Sequence, residues 1–170
     1  MSGRAHPLRL AAGARDMALA RSLIEEYAAW LGIDLCFQGI DEELATLPGK
    51  YAPPEGRLFL AGPPGDAVGC IALRPIALEG GGPAFVPPVG EVKRLYVQPR
   101  ARGTGTGRAL GTAIVDAARS IGYRTLCLDT LERMAEARAL YESLGFVRCA
   151  PYYRNPIDDV VYYRLDLARP

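Results

Sequence analysis

Val97-Gln-Pro-Arg-Ala-Arg-Gly-Thr-Gly-Thr-Gly-Arg-Ala-Leu110 carries the chain from an apolar strand pattern, Glu91 to Val97, into a helical one. Pro99 cannot donate to a sheet ladder, so the strand stops before it. Gly103, Gly105 and Gly107 follow at alternate positions, and helical spacing starts at once behind them. A strand, a glycine turn and a helix N-terminus in immediate succession predict an anion cradle. Glycines let backbone N–H groups come close to an oxyanion, and the helix dipole adds positive potential. Arg100, Arg102 and Arg108 bring side-chain charge to the same place. The expected guest is a phosphate or pyrophosphate. An ordinary glycine-rich turn is the bland alternative, and three alternating glycines flanked by arginines speak against it.

Working outward, strand and helix patterns alternate. Leu8 to Ala11 reads as a short strand, and Asp16 as the cap of a helix from about Met17 to Leu31 that Gly32 ends, with Met17, Ala20, Ile24, Tyr27, Ala28 and Leu31 on one apolar stripe. Gly39 to Leu47 reads as a second helix, stopped by Pro48-Gly49. Arg57 to Ala61 and Ala67 to Leu78 read as strands joined by a Gly-Pro-Pro-Gly turn, and Glu79 to Val89 as a loop. Leu110, Ile114, Ala117, Ala118 and Ile121 form the apolar face of the helix behind the glycine loop. Arg124 to Asp129 is a strand and Met134 to Leu144 a helix closed by Gly145. Phe146 to Cys149 and Val160 to Leu167 complete the sheet. The pattern is α/β or α+β around one mixed sheet, with 1–170 as a single domain.

Two common phosphate loops fail on spacing. A nucleotide P-loop needs Lys and then Ser or Thr after its last glycine, where Arg108-Ala109 stands. The dinucleotide fingerprint Gly-x-Gly-x-x-Gly places Arg108 or Leu110 at its third glycine.

Arg102-Gly-Thr-Gly105-Thr-Gly107 resembles the Arg/Gln-x-x-Gly-x-Gly/Ala signature of the GCN5-related N-acetyltransferases. Glu91-Val-Lys-Arg-Leu-Tyr-Val97 is similar to that family's central strand, and Ala137-Arg-Ala-Leu-Tyr-Glu-Ser-Leu-Gly-Phe146 to its last helix and closing turn. The resemblance runs from about residue 90 to 147. It implies a central mixed, mostly antiparallel twisted sheet flanked by about four helices. It implies acetyl-CoA as co-substrate, held at Arg102, Gly103, Thr104, Gly105, Thr106, Gly107 and Arg108. Leu95, Tyr96 and Val97 would pair with the pantetheine arm through their backbone. One departure shows: many members carry Asn where Met134 stands, so a cofactor hydrogen bond from that Asn is absent here.

Acetyl transfer to an amine needs a neutral nitrogen, donors for the developing oxyanion and a proton for the leaving thiolate. By position in the resemblance, Glu91 is the candidate base; a carboxylate paired with Lys93 or an arginine is its structural alternative, and a water chain the chemical one. Tyr141 takes the place of the family's tyrosine facing the thiolate, with a core tyrosine as its alternative. The acceptor side is expected between Gly32–Gly39, with Phe37 and Asp34, and Pro151–Pro156, with Tyr152, Arg154 and Asn155.

Composition bounds the rest. The chain has 170 residues, 49% hydrophobic, with a net charge of +1, which suits one globular domain and gives no sign of a nucleic-acid or membrane surface. Cys36, Cys70, Cys127 and Cys149 lack Cys-x-x-Cys spacing and read as buried thiols, and no metal is expected. His6, the only histidine, lies near the N-terminus, so His-based catalysis is not expected. No apolar signal or membrane-length run shows, and the expected compartment is the cytoplasm. The leading expectation is an N-acetyltransferase acting on a small-molecule, amino-acid or peptide amine, with homodimerisation left open. A non-catalytic acyl-CoA sensor, and a transferase of longer acyl groups, are the alternatives.

Overall fold

In the computed structural model, which describes residues 4–78 and 84–167, every strand joins one sheet. The strands are β1 (Leu8–Leu10), β2 (Arg57–Ala61), β3 (Gly69–Ile76), β4 (Val89–Val97), β5 (Thr125–Leu131), β6 (Val147–Cys149) and β7 (Val160–Asp166). Their order is β1-β2-β3-β4-β5-β7-β6. All neighbours are antiparallel except β4 and β5, which run parallel because the helix behind the glycine loop crosses between them. The mixed, mostly antiparallel sheet is thus the one expected.

Four α-helices cover the sheet: α1 (Gly13–Leu31), α2 (Ile40–Ala45), α3 (Thr106–Ile121) and α4 (Ala135–Ser143). On one face Leu110, Ile114 and Ala118 of α3 pack with Ile71, Leu73, Leu126, Leu128 and Tyr163 of the strands. On the other, Ala20, Leu23 and Ile24 of α1 pack with Leu58, Leu60, Cys70 and Ala72. Each fully buried aliphatic side chain here contributes about 1.5–3 kcal/mol of transfer free energy.

Several boundaries move for identifiable reasons. Helix α1 begins at Gly13, with Ala12 as its N-cap, so Asp16 is not the cap. Asp16 instead lies in the first turn and reaches back to the Ala12 N–H (3.0 Å), while also accepting from Arg9 (3.0 Å). The second helix is shorter than expected, Ile40–Ala45, with a separate 3-10 turn at Gly49–Tyr51. Strand β4 starts two residues before Glu91, because Val89 and Gly90 pair with both Ile76 and Pro75 on β3 and Thr125 and Leu126 on β5. Part of the expected 79–89 loop, residues 79–83, lies outside the described residues. Cys36 is exposed, so not every cysteine is a buried thiol, and all four are free.

Two irregularities of β4 position the site. Its pairing with β5 ends at Glu91↔Cys127, although β4 runs on to Val97 and β5 to Leu131. The two strands therefore fork, and β4 beyond Glu91 keeps backbone groups that β5 does not satisfy. On its other edge β4 carries a bulge: Ile71 of β3 lies opposite both Arg94 and Leu95. Arg94 adopts φ 60°, a left-handed conformation costly for a residue with a Cβ. Helix α2 holds it there. Its guanidinium forks onto Glu43 (2.9 and 2.8 Å) and donates to Gln38 Oε1 (3.0 Å).

Candidate active site

At the fork two spaces meet. A groove of about 630 Å³ runs along β4. Its floor is Leu95, Tyr96 and Val97, its far end Ala101, Arg102, Gly103 and Gly107, and its walls are α1 (Tyr27, Trp30, Leu31) and the start of α4 (Ala135, Glu136, Ala137, Leu140). Deeper in the fork lies a cavity of about 60 Å³ lined by Val92, Lys93, Arg94, Asp129, Tyr141 and Asn155, among others.

The groove's far end is built from backbone. Gly103 and Gly105 sit at φ 72° and 83°, which L side chains rarely adopt, and Gly105 is the N-cap of α3. Ala109 is the first residue of α3 bonded back along the helix, to Gly105 O (3.0 Å). Among the described residues the N–H groups of Thr106, Gly107 and Arg108 therefore have no backbone partner at the helix start. That geometry fits a ligand with a phosphate end.

The side chains around it divide. Thr106 is buried, its hydroxyl engaged by Thr104 (2.7 Å) and the His6 N–H (3.2 Å), so only its backbone faces the cradle. Thr104 donates to Ala101 O (2.7 Å) and braces the loop. Arg108 is exposed and does not line the groove. Arg102 does. Its Nε donates to Val97 O (2.9 Å), and its guanidinium lies 4.8 Å from the Trp30 ring centre and 5.9 Å from that of Tyr96.

The cavity is built from side chains. Lys93 lies 3.3 Å from Asp129 Oδ1. Asp129 Oδ2 accepts from the Tyr153 hydroxyl and from Asn155 Nδ2 (3.2 Å). Burial alone would raise the Asp129 carboxyl, but the Lys93 ammonium, with the Tyr153 and Lys93 hydrogen bonds, holds it below the usual carboxylate range. Tyr141 lines the cavity from α4, its ring edge-on to Phe146 (5.8 Å). Burial, with smaller contributions from Tyr27 and Asp129, pushes its phenol well above 10. Among the described residues its hydroxyl has no hydrogen-bond partner.

Glu91 sits elsewhere. It is 1% exposed and lines neither space. Arg74 clamps one carboxylate oxygen through Nε (2.8 Å) and a terminal nitrogen (2.7 Å), and the Tyr152 hydroxyl donates to the other (2.7 Å). Tyr152 is thereby turned from the cavity toward Glu91, whereas Asn155 lines the cavity. Asp34 and Arg154 are exposed, Asp34 accepting from its own Cys36 N–H (2.8 Å). The side chain of Phe37 lies outside the described ones.

Residues missed in the sequence also meet here. Tyr27 and Leu31 read as core stripe on α1, and Asp129 read only as a strand end. No local signal marks Asp129 or Lys93: their meeting depends on the fork.

A groove that ends at a helix start and meets a polar cavity in the strand fork has room for two ligands side by side. A family model described as an acetyltransferase (GNAT) domain matches residues 54–148. An uncharacterised N-acetyltransferase of Schizosaccharomyces pombe is 40% identical over 156 residues, 91% of each chain. An aminoglycoside N(6')-acetyltransferase type 1 of Stenotrophomonas maltophilia is 33% identical over 144 residues, 82% of this chain and 87% of its own. The crystal structure of an acetyltransferase from Streptococcus agalactiae shares the fold, with a TM-score of 0.73 over 94% of this chain and 97% of that one at 22% identity. The chain belongs to the GCN5-related N-acetyltransferase family and is an acyltransferase. Among the described residues no helix is long and apolar enough to cross a membrane.

Proposed function

We propose that the chain transfers an acetyl group from acetyl-CoA to a primary amine of a small molecule or peptide, by direct attack of the amine on the thioester. The observation that carries this reading is the junction of the two spaces: the groove leads from the α3 cradle into the cavity that holds Tyr141 and Asp129. Relatives named for N-acetyl transfer support it. The thioester supplies the acyl group, and the residues of the chain bind and steer around it. Free N–H groups of 106–108 and the Arg102 guanidinium hold the pyrophosphate. The edge of β4 that β5 leaves open at Leu95 and Tyr96 holds the pantetheine arm, next to Val97 O, which Arg102 already engages.

In this reading Tyr141 donates a hydrogen bond to sulfur as the C–S bond breaks and negative charge builds on the departing thiolate. Burial raises its pKa, so the phenol keeps its proton throughout. Asp129 receives the proton from nitrogen. Forming the C–N bond places positive charge on that nitrogen, so a carboxylate held ionised by Lys93 suffices as acceptor. We assign this role to Asp129 rather than Glu91, because Asp129 lines the cavity and Glu91 is enclosed by Arg74 and Tyr152. Glu91 then serves as a buried structural charge, paired with Arg74 at 2.7 Å and lying 4.0 Å from Lys93. Tyr141 and Asp129 in one cavity favour catalysis over an acyl-CoA sensor.

The test is a thiol-release screen with acetyl-CoA against amines, amino acids and peptides. Release dependent on one amine class, with acetylated product by mass, is expected. Tight acetyl-CoA binding with no release on any amine would instead support the sensor.

A further inference from the structure

Five side chains line both the groove and the cavity: Tyr27, Leu31, Leu95, Met134 and Ala137. They mark the place where a donor in the groove meets an acceptor in the fork. Four of them have no proton to donate, and Tyr27 alone carries a hydroxyl. That hydroxyl has no hydrogen-bond partner among the described residues.

The ring of Tyr27 is not free to wander. Helix α1 carries it, Trp30 stacks at 6.5 Å between centres and 25° between planes, and Tyr96 of β4 packs at 5.8 Å. The phenol stays protonated through the neutral range, since burial, despite the nearby Arg94 charge, pushes it up to about 12. Tyr27 is carried by α1, and Tyr141, which lines the cavity but not the groove, by α4. Met134, at the junction, has only a weak acceptor to offer.

We propose that Tyr27 is a catalytic residue that donates a hydrogen bond to the acyl carbonyl oxygen as it becomes an oxyanion, facing it from α1 across the groove from β4. The proton stays on Tyr27 throughout. A developing oxyanion needs preorganised donors, and one phenol on a clamped ring meets that need without reorganising. Tyr141 then serves sulfur and Tyr27 serves oxygen, so the two hydroxyls act on different atoms. This inference rests on the acyl-transfer reading above.

Tyr27→Phe tests it, with two readouts. Turnover on the best amine should fall by about 10²–10³-fold, while the melting temperature and the thermal shift with acetyl-CoA stay at parental values. The second readout needs no turnover. In isotope-edited infrared difference spectra of bound carbonyl-13C acetyl-CoA, the parent should lower the C=O stretch relative to free ligand. Tyr27→Phe should return it most of the way. Parental turnover with an unchanged bound stretch in Tyr27→Phe would overturn the proposal. A parent that acetylates no amine would sink the transferase reading. The stretch, compared between parent and variant, would still decide whether Tyr27 holds the carbonyl.

Discussion

The groove along β4 and the cavity in the fork share lining residues, yet they are made of different material. The groove's working groups are largely backbone: free N–H groups at the start of α3 and strand edges left open by the fork. The cavity's working groups are side chains: Tyr141 from α4, and Lys93, Tyr153 and Asn155 from β4 and the 151–159 segment, which Asp129 of β5 holds in one network. A backbone site tolerates varied side chains but not a changed φ. A side-chain site tolerates changes in any one element but not the loss of a shared partner.

That contrast can be broken most sharply at two carboxylates. Asp129→Asn should lower turnover by about 10²–10⁴-fold, the usual cost of a lost acid–base group, with acetyl-CoA binding unchanged. Glu91→Gln should do the reverse: turnover per folded molecule holds, while stability falls by about 3–5 kcal/mol as Arg74 loses its buried partner. Chemical denaturation beside steady-state kinetics separates the two. Selective loss of turnover in Glu91→Gln would return the base to Glu91.

Tyr141→Phe comes next. It removes one hydroxyl that faces the cavity and leaves the ring against Phe146 and Tyr163. Losing a donor to developing charge in a dry site costs about 2.7–4 kcal/mol of barrier. The melting temperature should hold. Lowered stability at parental turnover would make Tyr141 a core residue.

On the donor side, Gly105→Glu places a side chain at φ 83° and a negative charge beside the cradle. At 100 times the dissociation constant, acetyl-CoA should stabilise the parent by about 2.7 kcal/mol and the variant not at all, read as thermal shift. A full shift in the variant would mean the phosphates bind elsewhere.

The smallest effect is on pH-dependent stability. Asp129 and Glu43 both have folded pKa values below their ordinary ones. Their stabilisation is present above the unfolded values and lost as pH falls through the folded ones. Melting temperature should be level from neutral down to about pH 5 and fall below about pH 4, less steeply in Asp129→Asn. An equally steep fall in that variant would leave the acid sensitivity to other carboxylates.

Arrangement along the chain was legible because it is local. The 2-fold and 3.6-fold periods placed every strand and helix within a few residues, since a face of the right period is what each element buries. Misplaced ends, such as Asp16 as a cap, came from side chains that bond backward rather than start the helix. Tyr27 read as core for the same local reason: its spacing on α1 is that of a buried stripe, and nothing nearby in sequence reveals that the stripe ends at a cavity.

The sequence by itself determined the cradle, because alternate glycines before a helix start dictate backbone conformation within six residues. Only the tertiary structure decided which charges serve the chemistry. Glu91 and Asp129 look alike in sequence, each on a strand pattern near the fork. Parallel pairing that ends at Glu91↔Cys127 seals the first beneath Arg74 and Tyr152 and opens the second, two residues past the last pair, into the cavity. Where a strand pair stops is set by the helices and loops packed on both faces of the sheet, and no short window of sequence contains that balance.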